Sequence, residues 1–242
     1  MVSYRYRAHI PAHSLQAQIN CYPADVLIFA KPIECEVDFA KWAQRKGAKI
    51  IVDYCDDHFE LPHYQEFMGI ADKITCSSKE LAKLCNGMVI DDPYEFDELP
   101  PHFTNQQRLL WFGHKVNKAS IDRLGIDCRK VSNFDGAIPW SIEILKDELS
   151  RADIVLMPAT KGYKSPNRTV EAIRSGCFVV AEPHPSLLGF PIYQGDIKEG
   201  IAWATKHPKI VNQMIREAQS YISQKYSPAT QASAWKKILV SI

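Results

Sequence analysis

Short apolar runs recur along the chain and alternate with longer amphipathic segments. Runs rich in Val, Ile and Leu are typical of strands that are covered on both faces, as in parallel sheets. They predict strands at 26–30, 49–53, 74–76, 88–90, 108–112, 128–131, 153–157 and 177–181. A looser alternation at 4–10 predicts a further strand near the start of the chain.

The amphipathic segments between these runs carry the start and stop signals of helices. They predict helices at 34–46, 78–85, 196–206, 208–226 and 229–240, and further helices that begin at Ser141 and Ser165. Ser77 with Glu80, and Asp196 with Glu199, have the spacing of a capping box. Strands that alternate with helices favour an α/β fold with parallel sheets and right-handed crossovers.

The most informative stretch is 153–181, whose pattern indicates a strand, a loop, a helix and a second strand. We expect Ser165 to cap this helix, Pro166 to lie in its first turn, and Gly176 to end it in a left-handed conformation. A helix that joins two parallel strands in this way forms a βαβ unit.

Three cations, Lys161, Lys164 and Arg168, surround the start of that helix. The free N–H groups and the dipole at a helix N-terminus already favour an anion, so stability alone would select acidic residues there. A bound phosphate or diphosphate would account for the cations. The alternative interpretation is a solvated basic loop.

The segment 164–181 reads K-S-P-N-R-x-x-E-A-I-x-S-G-x-F-V-V-A and resembles the donor-site segment of GT-B glycosyltransferases, in the group-1, family-4-like branch. The resemblance implies transfer of a sugar from a UDP- or GDP-sugar. Lys164 and Arg168, with the helix amides near Ser165, are then expected to neutralise the leaving diphosphate and to be catalytic. Asn167 belongs to the same donor-binding loop.

The resemblance further implies that Glu171 holds the nucleotide ribose. Many family-4 enzymes carry another Glu near the transferred sugar, at the position that Tyr163 occupies here, so no catalytic Glu is implied in this chain. Family behaviour predicts a retaining reaction without a metal, because protein cations do the work of one. The nucleotide sugar is a co-substrate, and no cofactor is expected.

Two other places are similar to the donor domain of this family. In the W-F-G-H turn, Gly113 is expected to permit close approach of the ligand, with His114 beside it. Lys115 or Lys118 would supply a second charge for the phosphates, unless this is an ordinary polar loop between strand and helix. Trp140 lies where the family contacts the nucleobase, and it either stacks on the base or anchors its loop to the core.

Acceptor recognition is assigned to residues that follow predicted strands, because parallel sheets place ligands at the carboxyl ends of their strands. The acceptor-side candidates are His13, Lys31, Asp56 and Asp57, and Asp57 is also a candidate catalytic residue. A group of residue types that bind metals lies at and after the end of the strand at 49–53, namely Asp53, Asp56, Asp57, His58 and His63. Their spacing fits no established zinc pattern, and the alternative is a polar loop at the end of a strand. The aromatic and basic residues at 4–13 form either an acceptor patch or a strand with exposed charges.

The acceptor itself is left open between a glycan, a lipid-linked sugar, a protein and a modified base in DNA. The chain is compact and resembles phage-type enzymes, which makes a hydroxymethylated DNA base an alternative acceptor. The sequence gives no indication of an oligomeric state.

A chain of 242 residues can hold two small domains or one large one. The resemblance implies two Rossmann-like domains that face each other across a cleft. We predict an acceptor-side domain at 1–105, a donor domain at 106–226, and a C-terminal helix at 227–242 that returns to the first domain. A net charge of +1 gives no electrostatic reason to bind nucleic acid, and no apolar run is long enough for a transmembrane helix. Seven scattered cysteines favour reduced thiols, and hence the cytoplasm.

Two competing functions remain. A non-catalytic GT-B-like module that binds a nucleotide sugar or a partner is favoured by Tyr163 at the usual Glu position and by the short donor domain. An unrelated α/β nucleotide-binding protein is disfavoured, because the sequence contains neither a G-x-G-x-x-G nor a Walker A motif.

Overall fold

The computed structural model describes residues 4–160 and 162–242, and these divide into two compact units. Unit 1 contains residues 4–93, 162–165 and 226–242, and unit 2 contains residues 94–160 and 166–225. Each unit has its own parallel sheet, so the predicted α/β class is confirmed. The short segment 162–165 belongs to unit 1, although the chain on both sides of it builds unit 2.

The sheet of unit 1 has the strand order β1-β2-β3-β4, with every pair parallel. Its strands are β1 (Val26–Ala30), β2 (Lys49–Tyr54), β3 (Lys73–Cys76) and β4 (Met88–Val89). Both faces of β2 are buried, because Ile50 and Val52 join one apolar cluster with Phe67, whereas Ile51 packs in another with Trp235. This two-sided burial explains why the strand is a continuous apolar run.

Four helices of unit 1 precede or follow these strands. They are α1 (Ile10–Leu15), α2 (Val37–Arg45), α3 (Pro62–Ile70) and α4 (Lys79–Cys85). The cap of α4 is Ser78, whose Oγ accepts the Leu81 N–H, so the expected cap Ser77 is wrong by one residue. Ser77 instead directly follows β3, and its N–H donates to the carbonyl of Tyr54.

The predicted strand at 4–10 is wrong, because this stretch is helical. A π-helical turn, Arg5–His9, leads directly into α1. The buried side chains of this stretch are those of Tyr6, Arg7 and Pro11. Tyr6 and Arg7 are adjacent, and Pro11 lies about one helical turn after Arg7. This spacing is typical of one face of a helix, whereas a strand would bury every second residue. The predicted patch of exposed basic residues is therefore wrong for Arg7, which is 2% exposed.

The sheet of unit 2 has the strand order β10-β9-β8-β5-β6-β7, again with parallel pairs. Its strands are β5 (Leu109–Phe112), β6 (Arg129–Ser132), β7 (Ile138–Pro139), β8 (Ile154–Met157), β9 (Phe178–Ala181) and β10 (Tyr193–Gln194). β5 and β8 are neighbours at the centre of the sheet. From β5 the chain adds β6 and β7 toward one edge, and from β8 it adds β9 and β10 toward the other edge. The direction of winding therefore reverses between β5 and β8.

The helices of unit 2 pack around this sheet, and two of them begin with a side-chain cap. They are α5 (Lys118–Asp122), α6 (Ile142–Arg151), α7 (Asn167–Arg174), α8 (Ile197–Lys206) and α9 (Pro208–Lys225). Ser141 caps α6 and Asp196 caps α8, as predicted, by accepting the N–H groups of Ile144 and Glu199. At the end of α7, Gly176 takes the expected left-handed conformation with φ +79°.

The last helix, α10 (Pro228–Val240), belongs to unit 1, where Trp235 and Ile238 pack with Ile51 and Ile90. Ser227 caps it by accepting the Thr230 N–H. Within residues 4–160 and 162–242, no helix combines the length and apolar character needed to cross a membrane.

Candidate functional site

The carboxyl edge of the unit 2 sheet is the first candidate site. Parallel α/β sheets bind ligands outside the carboxyl ends of their strands, where the direction of winding reverses. In this unit that place lies between β5 and β8, beyond Phe112 and Met157. The helix α7, which follows β8, brings one cation to this point.

That cation is Arg168, in the first turn of α7. Its Nη1 donates a hydrogen bond to the carbonyl oxygen of Phe112, the last residue of β5, at 3.0 Å. Burial of the guanidinium lowers its pKa to about 10. Among the described residues no carboxylate pairs with it, so this partly buried cation has donors left for an anionic ligand.

Gly113 makes room for this arrangement. A Cβ at this position would lie 2.9 Å from Trp111 Cζ2 and 3.0 Å from Arg168 Nη1, closer than side chains tolerate. The sequence predicts that this glycine lets a ligand approach closely. In the structure it lets the guanidinium of Arg168 lie against the end of β5.

The start of α7 differs by one residue from the prediction. Its N-cap is Pro166, and the Oγ of Ser165 donates to Asp92 in unit 1 instead of accepting a helix amide. The expected cap at Ser165 is therefore wrong. Asn167 is the first residue of the helix, and the amides of this first turn have no acceptor within α7. Lys161, the third predicted cation, lies outside the described residues.

Three predicted donor-site residues lie elsewhere along this edge of unit 2. His114 accepts the Val116 N–H at the start of a 3₁₀ turn, Lys115–Asn117. Lys118 pairs with Asp122, so its charge is already partly neutralised. Trp140 directly follows β7 and is 39% exposed, which leaves part of the indole accessible for stacking.

Glu171, the predicted ribose ligand, is buried in unit 2. Its carboxylate accepts the backbone N–H groups of Glu95 and Phe96, at 2.7 and 3.1 Å. These bonds hold the segment that enters unit 2 against α7. A ribose at Glu171 would have to compete with both amides.

The carboxyl edge of the unit 1 sheet carries a second cluster. Lys31 follows β1, and its Nζ lies 2.7 Å from one oxygen of Asp56, whose other oxygen pairs with Lys164. Burial alone would raise the pKa of Asp56, but hydrogen bonds from Lys164 and Lys31 outweigh it and hold the pKa well below its usual range. Asp56 therefore stays deprotonated and is a poor general base.

The other acceptor-side candidates, Asp57 and His13, do not join this cluster by any described contact. Asp57 is partly exposed in the loop after β2, and no described cation pairs with it. His13 is exposed on α1. Nowhere in the described part of the chain do three or more His, Cys, Asp or Glu side chains gather in a group that could hold a metal ion.

The segment 162–165 is fixed within unit 1 by several contacts. The carbonyl of Tyr163 accepts a hydrogen bond from the Oγ of Ser78 at 2.7 Å, and its side chain packs against the apolar cluster that contains Phe29 and Tyr54. The residue at the usual Glu position thus contributes to the core of unit 1.

A buried ionic network that the sequence does not predict supports this segment. Arg7 donates to Asp53 from Nε at 2.7 Å and to Asp92 from Nη1 at 3.1 Å, and Asp92 in turn accepts from Ser165. In the sequence, Asp53 is a charged residue within an apolar run, and this indicates a buried charge that needs a partner. Its partner lies far away in sequence, where no local pattern points to it.

Solved structures that resemble this chain include three crystal structures of Anabaena Alr3699/HepE, in complex with UDP, with UDP and glucose, and with UDP-glucose. They are 14, 13 and 12% identical to it, with TM-scores of 0.69, 0.66 and 0.64. The alignments cover 97, 99 and 90% of this chain, and 82, 83 and 79% of the HepE chains. This likeness shows the fold and supports the expected GT-B fold.

No family model matches the chain, and no curated protein matches it. The comparison with HepE therefore stands on three-dimensional structure.

Proposed function

We propose that this protein is a glycosyltransferase that moves a sugar from a UDP- or GDP-sugar to an acceptor. The observation that carries the proposal is Arg168, a partly buried cation with no carboxylate partner among the described residues, at the point where the sheet of unit 2 reverses its direction of winding. The fold supports it, because HepE has this fold and its crystal structures contain UDP and UDP-glucose.

In the proposed reaction the bond between the anomeric carbon and the β-phosphate oxygen breaks, and an acceptor oxygen bonds to that carbon. The electron pair leaves with the nucleoside diphosphate, and the acceptor proton passes to a phosphate oxygen. Negative charge therefore grows on the diphosphate in the transition state. Arg168 would stabilise this charge, with the free amides of the first turn of α7 and with Lys164 as a second cation.

Finer features of the proposal follow from the resemblance to the group-1, family-4-like branch. The reaction is retaining, needs no metal and uses no cofactor besides the nucleotide sugar. Donor binding involves a larger set of residues, namely Gly113, His114, Lys118, Trp140, Lys164, Ser165, Asn167, Arg168 and Glu171. The accessible indole of Trp140 supports a stacking role with the base.

The acceptor side is assigned to His13, Lys31, Asp56 and Asp57. Because both oxygens of Asp56 are held by lysines, Asp57 is the better candidate for contact with the acceptor hydroxyl. The acceptor is a glycan, a lipid-linked sugar, a protein or a hydroxymethylated base in DNA. The free cysteines support a cytoplasmic location.

A second candidate is a module that binds a nucleotide sugar without transferring it. Tyr163 favours it, because this residue stands where many family members carry a Glu and it packs against the apolar cluster of unit 1. Arg168 is compatible with both functions, so only a measurement of donor hydrolysis or sugar transfer can distinguish them.

The experiment is a panel of UDP- and GDP-sugars, measured for binding by calorimetry and for slow release of the free sugar without acceptor. We expect one donor to bind and to be hydrolysed, unchanged by EDTA and lost in Arg168→Ala. Binding without hydrolysis, and without transfer to any acceptor of the four classes, would favour the module. A protein that binds no nucleotide sugar contradicts both.

A further inference from the structure

A carboxylate already holds one of the cations assigned to the diphosphate. Asp56 in unit 1 pairs with Lys164 through Oδ1 and with Lys31 through Oδ2, the latter at 2.7 Å. The carboxylate is 13% exposed, whereas the lysine side chains are 46 and 37% exposed. The cluster is thus a shielded anion between two accessible cations.

This pairing changes what Lys164 offers to a ligand. A lysine has one charge, and an anion that approaches it must share that charge with Asp56 or replace it. Asp56 also keeps its negative charge, because the two lysines stabilise the carboxylate rather than the acid. Repulsion between this carboxylate and a phosphate on the same ammonium makes replacement more favourable than sharing.

We propose that Asp56 is a resident counter-ion of Lys164, which the phosphates of a nucleoside diphosphate must displace. This inference rests on the proposed function, since it takes the diphosphate as the ligand of Lys164. Asp56 then lowers the affinity for the nucleotide and speeds its departure after transfer. Asp56 is in this sense a positioning residue that acts through Lys164.

The surroundings make this exchange easy. When Lys164 turns to a phosphate, Lys31 still pairs with Asp56, so no partly buried carboxylate is left alone. The backbone does not have to move either. Tyr163 and Ser165, on the two sides of Lys164, are fixed by hydrogen bonds to Ser78 and Asp92. The exchange requires only rotation of a flexible and half-exposed side chain.

The test compares UDP binding by calorimetry in the parent, Asp56→Asn and Asp56→Ala, at low salt. Both substitutions remove the competing charge, so we expect both variants to bind UDP about 1.5- to fivefold more tightly, the range for an ion pair at the protein surface. The gain should disappear at about 0.5 M salt, where the Debye length falls below 5 Å. The paired variant Asp56→Asn with Lys164→Ala should bind no more tightly than Lys164→Ala alone.

The matched control is Glu66→Gln, which removes one negative charge from another lysine pair of unit 1, with Lys41, at 2.5 Å. It should leave UDP affinity unchanged. Equal gains in Glu66→Gln and Asp56→Asn would assign the effect to net charge and overturn the proposal. So would UDP binding by the parent that neither Asp56 variant improves, and this result would leave the proposed function standing. A parent that binds neither UDP nor GDP overturns the proposed function itself.

Inorganic pyrophosphate is a second probe, and its affinity tests the Asp56 cluster without any contribution from the nucleoside. The Asp56 variants should bind it more tightly than the parent by a similar factor. A variant that binds pyrophosphate no better than the parent, while its thermal melt shows it to be folded, contradicts the counter-ion role whatever UDP does.

Discussion

The guanidinium of Arg168 donates a hydrogen bond to the carbonyl oxygen of Phe112 at 3.0 Å, and this bond joins the start of α7 to the end of β5. It places a cation at the point where the parallel sheet of unit 2 reverses its winding. Because burial already lowers the pKa of this guanidinium, an anion that arrives there restores interactions that the cation has lost. The account of donor binding depends on this relationship.

The first prediction concerns the glycine beside this cation. Gly113→Ala places a Cβ about 3 Å from Trp111 and from the guanidinium of Arg168, so one of them must move. We expect UDP affinity to fall about tenfold, and the unfolding free energy to fall by roughly 1–3 kcal/mol, as overpacking does. Calorimetry and chemical denaturation measure the two effects.

Gly69→Ala is the matched control for this substitution. Gly69 lies in α3, and a Cβ there would meet nothing within 4 Å. The control should keep UDP affinity and gain roughly 0.5–1 kcal/mol of stability from helix propensity. Unchanged UDP binding in Gly113→Ala would show that the position of Arg168 does not govern the site.

A second prediction concerns the buried network of unit 1. Arg7→Met removes the cation between Asp53 and Asp92, and it leaves two buried carboxylates without their partner. We expect unfolding free energy to fall by roughly 3–5 kcal/mol, the cost of breaking a buried pair from one side. Arg45→Met, at the exposed end of α2, is the control and should change stability by less than about 0.5 kcal/mol. Similar losses of unfolding free energy in both variants would show that the buried network does not stabilise the protein.

A third prediction uses the acid dependence of Asp153, which is buried just before β8. Burial would raise its pKa, but hydrogen bonds from Arg108 and Thr104 more than offset this and lower the pKa to about 2. A folded pKa below the unfolded value of about 3.9 means that the stabilisation is present above pH 4 and is lost as pH falls toward 2.

Between pH 5 and pH 2 the parent should therefore lose about 2 kcal/mol that Asp153→Asn does not lose. Denaturant titrations across this pH range provide the measurement. If the stability curves of the parent and the variant run parallel over the whole range, the carboxylate of Asp153 is not held by Arg108 and Thr104 as the structure indicates.

A fourth prediction concerns the acceptor. Asp57→Asn should reduce the rate of transfer at least about tenfold, because the proposed contact of this carboxylate orients the acceptor hydroxyl for attack. UDP affinity should stay within a factor of about two, because Asp57 is not assigned to the donor. Transfer assays and UDP calorimetry on the same preparation separate the two effects. An equal loss of both would move Asp57 from the acceptor side to a structural role.

The central strands β2, β8 and β9 could be predicted from the sequence because each one is buried on both faces. The short edge strands β7 and β10 are only partly buried or exposed, and the sequence pattern does not predict them. In β2, Ile50, Ile51 and Val52 are fully buried, which produces the continuous apolar run that the prediction uses. The stretch at 4–10 defeats the same reasoning. It is helical because the side chains of Tyr6 and Arg7 are buried in the interior of unit 1. Arg7 donates hydrogen bonds to Asp53 and Asp92, which lie 46 and 85 positions away in the sequence. A local pattern contains no information about such partners.

The candidate site shows the same division between local and distant information. The sequence places Arg168 near the start of a helix and Gly113 after a strand, and the structure has both there. That the two residues touch depends on the strand order, which no local pattern determines. Ser165 was expected to cap α7 because Ser is a common cap, but a buried carboxylate, Asp92, competes for the same hydroxyl.

The most direct test of the central claim is calorimetric titration of UDP into the parent, Arg168→Ala and Arg151→Ala. Arg151 is an exposed arginine of α6 that pairs with Asp147 at 2.6 Å, so its substitution controls for the loss of one charge in unit 2. The account predicts that the parent and Arg151→Ala bind alike. It predicts that Arg168→Ala binds about tenfold to a hundredfold more weakly, a loss of roughly 1.5–3 kcal/mol, with an unchanged thermal melt. If Arg168→Ala is folded and binds UDP as tightly as the parent, Arg168 is not a phosphate ligand and the account is contradicted.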